Sequence, residues 1–204
     1  MSDELERDVR ALADRGDTNG AVTAAVQGYG DEIYSFLVSR LRDDDAASEV
    51  FAQTCADLLA SLPSFQWRCS LRTWCYRLAR AAATRYMRSP ANRADRRVAL
   101  SHISEAIDCV RSRTQLHLRS EVKDGVRKLR EQLDPDEQQL LLLRIDRDLG
   151  WTEIAEIIED DDDPKALARA SARLRQQFQS LKQRLRELAI AEGLIPVDAD
   201  AQPR

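Results

Sequence analysis

Apolar positions recur at helical spacing along almost the whole chain, and nowhere alternate in the period-two manner of a half-buried strand between glycine-rich turns. The pattern predicts an all-α fold. A first helix is expected over 19–42, with Tyr29, Ile33, Phe36, Leu37 and Leu41 on its apolar side and Gly28 and Gly30 as weak points. Asp43-Asp44-Asp45 supplies an N-cap and negative charge for a second helix over 45–62, which Pro63 helps to end. A third starts after Ser70 and stops at Arg88, before Ser89-Pro90.

Residues 89–114 are polar and weakly periodic, which reads as a linker or a short, loosely held helix. An amphipathic helix follows over 115–133. Asp134-Pro135 has the form of an N-cap followed by proline at the first helical position, opening a helix to Asp148. Thr152 is suited to cap a short helix over 153–159, and Pro164 opens a long one that Gly193 closes. Short helix, turn and longer basic helix make a helix-turn-helix pattern. The expected organisation is two small helical domains joined by a linker: an N-terminal extension at 1–18, a first domain at 19–92, the linker at 93–118, a helix-turn-helix domain at 119–192 and a disordered tail at 193–204.

Composition narrows the function classes. The 204 residues are 43% hydrophobic and 32% charged, and no window approaches a membrane-spanning run of apolar residues. The first residues lack the basic stretch and apolar core of a signal peptide, so a cytoplasmic location and reduced cysteines are expected. Cys55, Cys69, Cys75 and Cys109 form no CxxC pair, and the histidines are His102 and His117 alone, so the cysteines read as core filler and neither a metal nor a cofactor is expected.

Net charge is -4, which taken alone argues against a nucleic-acid partner. Its distribution reverses that inference. Residues 1–64 hold 5 basic and 13 acidic side chains, whereas residues 65–97 hold 9 and 1. Residues 98–164 hold 9 and 17, and residues 165–188 hold 7 and 1. Two basic blocks are set in an acidic chain.

The first block lies on the third helix. On a helical wheel Thr73, Tyr76, Arg77, Arg80, Thr84 and Arg88 fall within about 120° of one another, opposite a side carrying Leu71, Trp74, Cys75, Leu78, Ala82 and Tyr86. A face of guanidinium, hydroxyl and phenol groups with hardly any carboxylate suits phosphates. The preceding loop, 62–70, carries Phe65, Trp67 and Arg68, and aromatic and guanidinium planes stack on unpaired bases. Trp67, Arg68 and Arg72 therefore join that face as candidate single-strand contacts, while Phe65 and Trp74 read as packing residues. In the second block, Lys165, Arg169, Ala172, Arg173 and Gln176 lie opposite an apolar stripe of Leu167, Leu174, Phe178, Leu181, Leu185 and Leu188. Arginine reads guanine and glutamine reads adenine in a major groove, alanine permits close approach, and Arg175 and Lys182 flank the face at phosphate height.

Together the segments resemble bacterial RNA polymerase sigma factors of the extracytoplasmic-function (ECF) group, over 20–190. The carrying stretches are Ala46-Ala47-Ser48-Glu49-Val50-Phe51-Ala52-Gln53-Thr54, Leu62-Pro63-Ser64-Phe65 and Ser70-Leu71-Arg72-Thr73-Trp74-Cys75-Tyr76-Arg77-Leu78-Ala79-Arg80, then Leu133-Asp134-Pro135-Asp136-Glu137-Gln138 and Trp151-Thr152-Glu153-Ile154-Ala155-Glu156-Ile157. The resemblance implies that 63–88 melts and reads the -10 promoter element, that 164–188 reads the -35 element, and that Asp45, Glu49, Gln53 and Asp57 face the β′ coiled coil of core RNA polymerase. It also implies contact with the β flap and leaves room for an anti-sigma factor. The chain departs from the family pattern at Ala52, where a glutamine is usual, at Ala81, where an asparagine is usual, and in the acidic run 159–163, which is longer than the family's turn.

The resulting expectation is a non-enzymatic, all-helical sigma factor with promoter DNA and core polymerase as partners. Two alternatives remain open from sequence: a helix-turn-helix repressor or activator that acts without polymerase docking, and an interaction protein whose basic faces meet an acidic partner. Neither requires the aromatic and arginine loop joined to the third helix.

Overall fold

A computed structural model of the chain describes residues 2–88, 103–120, 124–159 and 163–196. The helices are α1 (Ser2–Asp14), α2 (Thr18–Leu41), α3 (Asp44–Ser61), α4 (Leu71–Arg88), α5 (Ser104–Ser120), α6 (Asp124–Glu131), α7 (Pro135–Leu141), α8 (Trp151–Glu159) and α9 (Pro164–Ala191), with no strand among the described residues. A short 3-10 turn, Leu62–Ser64, leads out of α3, and a π-helical turn, Leu142–Asp146, continues α7.

The caps explain these boundaries. Asp43 accepts the amide of Ala46 to begin α3, and Arg42, in the left-handed conformation at φ 53°, ends α2. Asp134 accepts the amides of Asp136 and Glu137 at 3.0 and 2.8 Å, while its own amide donates to Glu137 at 3.1 Å, a reciprocal capping box that starts α7. Asp163 caps α9, whose first residue is Pro164, and Gly193 closes it at φ 68°.

The structure adds to some expectations and corrects others. The N-terminal extension contains a helix, α1, whose Val9 is fully buried against α2. Of the two readings left open for 89–114, linker or short helix, the described part follows the second: it contains most of α5, because Ile103, Ala106, Ile107 and Val110 supply a buried stripe at helical spacing that the surrounding polar residues dilute in sequence. The described residues of the helix expected over 115–133 fall in α5 and α6, and α8 begins at Trp151, with Glu153 rather than Thr152 accepting the amide of Gly150. Gly28 and Gly30 are close-approach points in α2: an added β-carbon would lie 2.1 Å from Leu5 of α1 and 2.6 Å from Val110 of α5. Residues 89–102, most of the acidic run at 160–162, and 197–204 of the expected tail lie outside the described residues.

One hydrophobic core runs through both halves of the chain. Tyr34, Phe36, Leu37, Phe51 and Tyr76 of the first half share a contiguous buried cluster with Leu143, Leu149, Ile154, Ile157 and Leu174 of the second. α8 packs on α4 and α7 on α2. Polar bonds cross the same seam: Arg40 reaches Asp136 at 3.0 Å and the Gln139 side-chain oxygen at 2.8 Å, and Arg42 donates to the Leu133 carbonyl at 2.7 Å.

Candidate nucleic-acid interface

The start of α4 is held from two directions. The Ser70 hydroxyl oxygen accepts the amide of Thr73 at 3.0 Å, and its backbone carbonyl accepts that of Trp74. The amides of Leu71 and Arg72 donate instead to the Glu6 carboxylate of α1, at 2.9 and 3.1 Å, and the Tyr29 hydroxyl donates to the same group at 3.0 Å. All of the first four amides of α4 are thereby satisfied, two of them by a residue 65 or 66 positions away.

The loop before it is an aromatic stack with guanidinium groups on its rim. Phe65 lies against Trp67 with ring centres 4.9 Å apart and stacks on Trp74 at 5.2 Å. Arg10 of α1 covers the Trp67 ring at 5.3 Å, and Arg77 covers Trp74 at the same distance. Trp67 occupies φ 56°, a conformation a bulky residue rarely adopts without neighbours that hold it there. Arg68 and Arg88 are exposed, and Trp67, Arg77 and Thr84 are half-buried, the Thr84 hydroxyl donating to the Arg80 carbonyl at 2.8 Å.

The structure divides the basic face that the helical wheel drew as continuous. Thr73 and Tyr76 are fully buried, with the Tyr76 ring 5.2 Å from Phe36 in an edge-to-face contact, so both are core residues in this arrangement. Arg72 is turned inward: Nε and one terminal nitrogen each meet Glu32 at 2.7 Å, and the latter also donates to the Arg147 carbonyl at 3.1 Å. The hydrogen bond to Glu32 holds the guanidinium pKa well above its usual range, against the opposing effect of burial. Arg80 donates to the Ile158 carbonyl at 3.3 Å, beneath α8. The reason is geometric: α4 is covered by α2 and α3 on one side and by α8 on another, so its buried arc is wider than one apolar stripe indicates.

In the second half, Ile154, Ala155 and Ile157 of α8 pack with Leu167, Ala170 and Leu174 of α9, and the Ser171 hydroxyl donates to the Trp151 carbonyl at 3.1 Å. This leaves Lys165, Arg169, Ala172, Arg173, Arg175, Gln176 and Lys182 exposed along α9. Arg173 meets Glu159 at 2.5 Å, Arg175 lies over Trp151 at 5.9 Å, and Lys182 over Phe178 at 5.7 Å. A cleft of roughly 800 Å³ separates α9 from α2 and α4, with Arg173 and Arg184 on one wall and Arg40 and Arg80 on the other.

On α3, Asp45 and Glu49 are exposed, while Gln53 donates to Asp57 at 2.8 Å and Asp57 pairs with Arg85 of α4. Those four residues therefore lie along one helix, but only its first turns present free acidic surface. Arg85 and the α1 residues Glu6 and Arg10 were not singled out by sequence reasoning. Arg85 stood off the Arg77 face of the wheel, and nothing local to 1–18 signals contact with residues 67–72. Among the described residues no group of His, Cys, Asp and Glu side chains is arranged to hold a metal ion. Nor is any helix among them long and apolar enough to cross a membrane.

Comparison with known proteins bears on the first half. No curated protein matches the chain. Residues 25–93, which run from within α2 through α4, match the family model described as Sigma-70 region 2. That segment, about a third of the chain, is similar to a sigma-70 region 2, which supports the role of a sigma factor in transcription initiation.

Proposed function

We propose that the protein is a sigma factor of the ECF type, which docks on core RNA polymerase, reads a -10 and a -35 promoter element, and assists opening of the upstream edge of the bubble. The observation that carries this reading is the coincidence of the Sigma-70 region 2 match with the Phe65, Trp67 and Trp74 stack and its arginine rim. Unpaired bases stack on aromatic and guanidinium planes of the kind this rim presents for about 1–3 kcal/mol each, and the exposed guanidinium groups neutralise the adjoining phosphates. Arg68, Arg77 and Arg88 supply that charge on the accessible side. Asp45 and Glu49 on α3 form the acidic surface for polymerase, and Arg169, Arg173 and Gln176 on α9 the base-reading set for duplex DNA.

Run-off transcription with purified core polymerase and promoter-containing DNA tests the reading. Addition of the protein is expected to direct new initiation and the protein to co-elute with core. Absence of both would overturn it and favour a helix-turn-helix regulator acting alone.

A further inference from the structure

The sigma-70 region 2 match begins at residue 25, yet the loop and helix in its C-terminal half are anchored by α1, which lies wholly before that point. Resting on the function proposed above, we infer that Glu6 and Arg10 of α1 are positioning residues for the single-strand-reading loop.

The two act one helical turn apart on the same face, as residues i and i+4 do. Glu6 supplies the acceptors that Ser70 leaves wanting at Leu71 and Arg72, and so fixes where α4 begins. Because Tyr29 donates to the same carboxylate, that point is also tied to α2. Arg10 closes over the outer face of Trp67 and holds the ring in register with Phe65 while its backbone stays at φ 56°. α1 itself is a firm base. Val9 is fully buried, and Leu5 sits where Gly28 lets α1 approach α2. An exposed guanidinium beside Trp67 also adds positive charge where a strand would enter.

The test uses the full chain bound to core polymerase on a promoter that the wild-type holoenzyme initiates from. Permanganate reactivity of unpaired thymines reads opening, a footprint reads upstream duplex occupancy, and titration reads affinity for core. Arg10→Ala is expected to lower opening about three- to tenfold, the scale of a lost cation–π contact, with duplex protection, core affinity and the thermal midpoint unchanged. Arg10→Lys, which keeps the cation, is expected to restore most of the opening. Glu6→Gln, which keeps the shape but weakens the acceptor, is expected to lower opening in the same selective way. The inference is overturned if Arg10→Ala opens the promoter as the wild type does, or if opening falls only in step with core affinity and thermal midpoint, as a purely structural role would require. A wild-type protein that directs no initiation would instead remove the sigma-factor reading, and this inference with it.

Discussion

Tyr76 shows how one residue's environment decides its role. Its ring packs edge-on against Phe36, and its hydroxyl is buried with no hydrogen-bond partner among the described residues. Tyr76→Phe is therefore expected to leave stability unchanged or raise it by up to about 1 kcal/mol, since an unmet polar group is removed. Tyr76→Ala is expected to cost about 3–5 kcal/mol in chemical denaturation through the cavity it leaves. Burial likewise pushes the Cys55 thiol from an ordinary 9.0 up to about 12, and raises that of Cys75 as well. A folded-state pKa above the unfolded value means that the contribution is full below about pH 9 and is lost as pH rises toward 12, so the thermal midpoint should fall across that window. Cys109, which sequence reading also placed in the core, is exposed and should react with a thiol reagent well before Cys55 or Cys75. On α9, Arg169→Ala should relax preference at individual bases of the -35 element by about 1–3 kcal/mol in a binding assay over variant sites. A loss uniform across all sequences would mark it as a phosphate contact instead.

At the scale of elements, boundaries with a chemical cause were legible in sequence and those set by packing were not. The Asp43-Asp44-Asp45 run and Asp134 announce α3 and α7 because a carboxylate before a helix has one evident use, and Pro164 announces α9. Asp134→Ala is expected to cost about 0.5–2 kcal/mol by urea denaturation, through loss of the capping box. By contrast, α1 and α5 owe their place to α2, and the two glycines that admit them looked like defects until their neighbours were known. Gly30→Ala should therefore destabilise by about 1–3 kcal/mol, because Val110 is a stiff, buried side chain with little room to move. In an exposed helix the same change would stabilise, and that sign distinguishes the two cases.

Across the whole molecule, the second half lies on part of the helix proposed to read the -10 element, held by Arg40, Arg42 and Arg80 and by a shared core. On the proposed function, contact with two promoter elements at once is expected to require this seam to open. Free protein is accordingly expected to bind promoter DNA far more weakly than its polymerase complex at physiological salt, an expectation that equal affinities would refute. The net charge of -4 acts in the same direction. Sequence alone determined the all-helical architecture, the caps of α3 and α7, the two basic blocks and the aromatic loop, because helical period, capping chemistry and charge are local properties. Only the tertiary structure decided which of the arginines remain available. Whether a guanidinium on α4 meets solvent, Glu32 or the end of α8 depends on which elements pack around that helix, and neither a wheel nor a charge count contains that information.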